Sequence, residues 1–128
     1  MAPPKNCPLK EEALHAECAR FMAENGWNLV AHEWLVVPEE EAHGRGDLVF
    51  QKNRNYCVFE CKRKTTPKVH EQALYYAAAW KLQYARPHHS VVYGIWTCRE
   101  KRILGVVHTK HQARQLCTRP SCPIIGFL

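Results

Sequence analysis

The chain has 128 residues and a mass of 14.9 kDa, the size of one domain with a single core, and its 46% hydrophobic and 23% charged residues exclude global disorder. No apolar run approaches the roughly 20 residues that cross a bilayer, so no membrane partner is expected. Lysine and arginine number 18 against 12 acidic residues, a net charge of +6 with a pI of about 9.0, which points to a polyanion such as nucleic acid as partner.

The leading Met1-Ala-Pro-Pro-Lys5 lacks the apolar core of a secretory signal. An intracellular, reducing compartment is therefore expected: cytoplasm or nucleus, or a host cell for a viral protein. The seven cysteines are odd in number and irregularly spaced, and most are expected to be small buried hydrophobes. From Pro8 to about Asn25, Leu14, Cys18, Phe21 and Met22 recur at helical spacing, with Gly26 as the stop. Trp27 to Val37 reads as a strand, and Glu39 to Gly46 as a charged, glycine-punctuated loop. Asp47 to Gln51 and Tyr56 to Lys62 predict a hairpin through the turn-forming Lys52-Asn53-Arg54-Asn55. Pro67 then opens an alanine- and aromatic-rich helix running to about Tyr84. Two more strands, Ser90 to Thr97 and Arg102 to Val107, and a short helix, Thr109 to Leu116, complete an αβββαβ order with additions. The class is α/β, a mixed central sheet flanked by helices, in one domain over 1–128 with its core at about 8–107 and an extension over 108–128.

The chemistry is concentrated in Gly44-Arg-Gly-Asp47 and Val58-Phe-Glu60-Cys-Lys62. Alternation along the third strand places Glu60 and Lys62 side by side on one face, and Asp47 on the neighbouring strand can converge with Glu60. Two carboxylates aimed at one point repel unless a cation lies between them. A hard divalent ion, Mg²⁺ or Mn²⁺, fits that arrangement and suits phosphodiester chemistry, with Lys62 orienting or helping to deprotonate an attacking water.

These residues resemble the PD-(D/E)xK nuclease superfamily: Asp47, then Glu60-Cys61-Lys62, set in an αβββαβ order. The resemblance implies a restriction-endonuclease-like core and a metal-dependent nuclease, with the backbone carbonyl of Cys61 joining Asp47 and Glu60 in the metal shell. Gln72-Ala-Leu-Tyr-Tyr76 looks like the Gln-x-x-x-Tyr element of the RecB-type branch, which implies that Gln72 positions the lysine or substrate, with Tyr76 as a further candidate. That branch takes a metal ligand from a histidine of the early helix, matched here by His15, with Glu11 one turn away in reserve. Junction-resolvase members have a glutamate at that place, and the residue before Asp47 is Gly46 where the superfamily name has proline. Many small members pair as dimers, so a homodimer is expected.

Arg45, Arg63, Lys64 and Lys68 are the candidate nucleic-acid contacts, because phosphate neutralisation needs cations beside the cut bond; Arg99 to Arg102 form a second basic cluster. DNA is favoured as substrate, cut by an endonuclease that recognises structure or ends, in repair or recombination. The rival is a non-catalytic nucleic-acid-binding module that retains the fold. Weaker alternatives are a zinc site of His108, His111, Cys117 and Cys122, and an iron–sulfur cluster on Cys7, Cys98, Cys117 and Cys122.

Overall fold

The structure, a computed structural model, describes residues 7–118. Its elements are α1 (Glu11–Glu24), β1 (Asn28–Val37), β2 (Glu40–Lys52), β3 (Asn55–Cys61), α2 (Pro67–Gln83), β4 (Ser90–Trp96), β5 (Lys101–Val107) and α3 (Lys110–Cys117). One five-stranded mixed sheet, in the order β1-β2-β3-β4-β5, carries helices on its faces; the expected α/β class is observed. Only β3 and β4 run parallel, because α2 is the crossover that joins them, and the other neighbours are antiparallel.

Helix α1 buries Leu14, Cys18 and Met22, four residues apart, against Leu48, Phe50, Cys57, Phe59 and Cys61. It stops where Gly26 takes a φ of 84°, the Gly26 and Trp27 amides donating to the carbonyls of Ala23 (3.1 Å) and Met22 (2.9 Å). On the opposite face α2 begins at Pro67, capped by Thr66, whose hydroxyl accepts from the Val69 amide. Ala73, Ala77, Ala78 and Ala79 let it approach closely, while Tyr75, Tyr76 and Trp80 fill the space over Val36, Val49, Val58 and Val91. Lys81, fully buried, donates to the carbonyls of Arg86, Pro87 and His89 and so fixes the loop leading into β4. No helix among the described residues is long and apolar enough to cross a membrane.

One expectation is corrected here. Glu39 to Gly46 is not a loop: Val37 pairs with Glu40, Glu39 turns at a φ of 64°, and β2 continues from Glu40 through Gly46. The glycines serve packing instead. A Cβ at Gly46 would overlap the indole of Trp34, its partner across the strands, and one at Gly44 would overlap the Tyr76 hydroxyl. Of the cysteines, Cys7 and Cys98 form a disulfide with their Cα atoms 5.7 Å apart. Cys18, Cys57, Cys61 and Cys117 are buried thiols, as expected of most of the set.

Candidate active site

At the β2–β3 pair the backbone holds two carboxylates together. The Asp47 amide donates to Glu60 Oε2 at 2.9 Å, and the Cys61 amide donates to Asp47 Oδ2 at 2.7 Å. Both side chains are buried, Glu60 at 1% exposure and Asp47 at 9%. Burial, and then the charge of Asp47, hold the Glu60 carboxyl well above the usual carboxylate range; Lys62 pulls in the opposite direction.

The backbone around Asp47 is irregular in a way that serves this placement. Gly44 and Gly46 abut the α2-side aromatics Tyr76 and Trp34, whereas Leu48 and Phe50 lie in the α1 layer, so face alternation breaks at Asp47. Pairing register nevertheless runs unbroken from Trp34–Gly46 to His32–Leu48, with Glu33 at the position opposite Asp47. Glu33 has a φ of 50°, a left-handed conformation that costs a non-glycine residue about 1–3 kcal/mol.

Helix α1 supplies the third group. His15 Nε2 stands 3.4 Å from Asp47 Oδ1, within ion-pair reach, yet it is buried without a hydrogen-bond partner. Adjacent ligands on an octahedral ion with bonds of about 2.1 Å are about 3 Å apart, so this separation suits a shared cation. His15, Asp47 and Cys61 bring ligand atoms within 4.8 Å of one another, and Glu60 adjoins this trio through Asp47. The Cys61 thiol is a poor ligand for a hard ion, since hydrogen bonding to Cys18 and burial push its pKa far up. What Cys61 contributes to the site in this structure is its amide, which fixes Asp47. Asp47 and the buried His15 nitrogen, with the Glu60 carboxylate adjoining through the Asp47 amide, offer oxygen and nitrogen donors of the kind that Mg²⁺ or Mn²⁺ accepts.

Lys62 is partly exposed, with Nζ 3.9 Å from Glu11 Oε1, so Glu11 meets the lysine and not the carboxylates. The Gln72 side-chain amide donates to the Tyr76 hydroxyl at 2.9 Å. Burial, with the charge of Glu60 next, pushes the Tyr76 phenol up to about 12. His15 of α1 and Tyr76 of α2 thus both reach toward the Asp47–Glu60 pair of β2 and β3, Lys62 follows β3 with Glu11 beside it, and Gln72 joins through its bond to Tyr76. The basic candidates divide. Arg45 is engaged on the hairpin by Glu41 and the Glu33 carbonyl, and Arg63 donates to the Cys7 carbonyl at 2.7 Å. Lys64 and Lys68 are exposed, and Arg63, Lys64 and Arg99 line one pocket of about 200 Å³ beside the disulfide, which unites the two basic clusters of the sequence.

The tail alternatives find no support in this geometry. Cys117 is buried at the end of α3 while His108 and His111 are exposed, Cys7 is bonded to Cys98, and Cys122 lies outside the described residues. Among the described residues, both groups of three candidate metal ligands are built on His15. Sequence reasoning missed His32, whose Nε2 is 3.2 Å from His15 Nδ1. Its register opposite Leu48, a residue of the α1 face, is the signal that would have found it. No protein-family model matches the chain, and no curated protein matches it.

Proposed function

We propose that this protein is a metal-dependent nuclease that hydrolyses phosphodiester bonds, with DNA the favoured substrate, as its likeness to the PD-(D/E)xK superfamily implies. The observation that carries the reading is the pair of buried carboxylates, Asp47 and Glu60, each held by a backbone amide, with an unpartnered His15 nitrogen facing Asp47. A buried acidic pair is costly to maintain, and a purely structural role does not require it. Asp47, Glu60 and His15 would hold Mg²⁺ or Mn²⁺, which lowers the pKa of water and neutralises charge on the phosphate.

The protein's own groups do the positioning. The amides of Asp47 and Cys61 each occupy one oxygen of a carboxylate and so set its orientation. Lys62, steadied by Glu11, carries an ammonium at the mouth of the site that orients an attacking water and offsets phosphate charge. Tyr76 stays protonated near neutral pH and accepts from Gln72, so its own proton remains available to an anion. Lys64, Lys68 and Arg99 supply cations for the flanking backbone. With few side chains left to read groove edges, structure- or end-specific endonuclease action is the favoured mode, and a homodimer the proposed assembly, which sedimentation tests.

The deciding experiment incubates wild type and Lys62→Ala with labelled single-stranded, duplex, flap and four-way-junction DNA in Mg²⁺, Mn²⁺ or EDTA. Cleavage that needs the metal and falls about 10²-fold or more in the variant is expected. Binding by both proteins without cleavage of DNA or a matched RNA set would replace the nuclease with the non-catalytic binding module.

A further inference from the structure

His15 presents its second ring nitrogen to another group of ligands. Its Nδ1 lies 3.2 Å from His32 Nε2, the rings meeting edge to face at 80°, and the Glu33 carboxylate completes a trio whose ligand atoms fall within 4.8 Å of one another. Two nitrogens bound to one tetrahedral Zn²⁺ at about 2.05 Å are about 3.3 Å apart, which the His15–His32 separation matches. His32 and Glu33 are exposed and, with His15 and Glu12, border an open pocket of about 250 Å³, so an ion can enter from solvent. The left-handed Glu33 is the strained residue of β1, and its carbonyl is held by Arg45, so the conformation is maintained by its surroundings.

We propose that His15 Nδ1, His32 Nε2 and the Glu33 carboxylate form a site for a borderline transition-metal ion of the Zn²⁺ class, and that its occupancy excludes His15 from the carboxylate site. Two nitrogens and one carboxylate suit such an ion better than Mg²⁺, and three protein ligands leave a position for water. The exclusion follows for a ring that stays neutral and does not lose its second proton to bridge the two ions as imidazolate. A neutral ring carries one proton and one in-plane lone pair. When Nε2 is the ligand beside Asp47, the proton is on Nδ1 and is donated to His32. When the outer ion takes Nδ1, that proton leaves to solvent and Nε2 gains one from solvent, with no net proton change. His15 then faces Asp47 Oδ1 as a donor and is no longer a ligand. The outer ion is therefore an inhibitor of the inner site. Only this inhibitory consequence rests on the nuclease reading; the outer site stands on its own geometry.

The test titrates the full chain with Co²⁺, reading the visible absorption of a tetrahedral ion, and then displaces it with Zn²⁺. Wild type and Asp47→Asn are expected to give the tetrahedral spectrum, while His32→Ala and Glu33→Gln weaken binding about tenfold or more with far-ultraviolet circular dichroism unchanged. The Glu33→Gln variant keeps the backbone and shape, so it decides the matter if His32→Ala misfolds. No tetrahedral spectrum in wild type, retention of full affinity in Glu33→Gln, or loss in Asp47→Asn overturns the site. In a second arm, the ratio of Mn²⁺-supported cleavage with and without Zn²⁺ is expected to fall in wild type and to need about tenfold more Zn²⁺ in Glu33→Gln. Equal sensitivity of the two overturns the exclusion. If no protein cleaves, the nuclease reading fails, and the cobalt arm still decides the outer site.

Discussion

Burying Glu60 sets stability against pH. Its carboxyl titrates above the ordinary range because the ionised form loses solvent and meets Asp47. The protonated form is thus favoured in the folded protein, so the stability it confers is full below the unfolded value of 4.5 and is lost as pH rises through the higher folded value. A cation held by the pair must displace that proton, so the rise in Tm produced by Mn²⁺ is expected to be larger at about pH 8 than at about pH 5, as differential scanning fluorimetry would measure. Glu60→Gln keeps an oxygen for the Asp47 amide and removes the titrating carboxyl. It is expected to make the stability of the metal-free protein less dependent on pH in denaturant titrations and to abolish the Mn²⁺ shift. A variant that still responds to Mn²⁺ would remove Glu60 from the ligand set. At this scale the sequence was informative where chemistry follows strand spacing, as for Asp47, Glu60 and Lys62. His32 escaped notice because its role depends on which residue α1 places above it.

The hairpin of β1 and β2 shows how an element can be misread from its punctuation. Gly44 and Gly46 read as loop residues among charges, but they lie in a strand because Tyr76 and Trp34 occupy the space a side chain would need. Trp34 is nearly buried, packed edge-on against both Tyr76 and Trp80. Gly46→Ala must therefore displace a core indole and is expected to cost about 1–3 kcal/mol in a denaturant titration. Gly46→Pro is expected to cost about 3 kcal/mol or more, since it also removes an amide from an interior strand. A proline variant as stable as wild type would show that Trp34 yields easily. The helices were far more legible, because the Leu14–Cys18–Met22 seam and the Thr66-Pro67 start carry their signals within a few residues of chain.

Across the whole molecule, the Cys7–Cys98 disulfide ties the segment before α1 to the β4–β5 turn over a sequence separation of 91 residues. Closing so long a loop restricts the unfolded chain, a contribution of about 4.6 kcal/mol in the chain-entropy treatment. Dithiothreitol is expected to lower the Tm of wild type and to leave Cys7→Ser unchanged, as calorimetry would show; equal Tm values for oxidised and reduced wild type would contradict it. The same tertiary closure brings Arg63 and Lys64, which follow β3, to Arg99 of the β4–β5 turn, so two basic runs far apart in sequence line one pocket.

By itself the sequence determined the element order, the α/β class and the local grouping of Asp47, Glu60 and Lys62, because helix and strand periodicity and turn chemistry act over a few residues. Tertiary structure alone decided that Glu40 to Gly46 is strand, that Cys7 meets Cys98, that Glu11 serves Lys62, and that His15 stands between Asp47 and His32. Each of these depends on residues far apart in the chain, whose meeting is set by how α1 and α2 pack across the two faces of the sheet and not by any local preference.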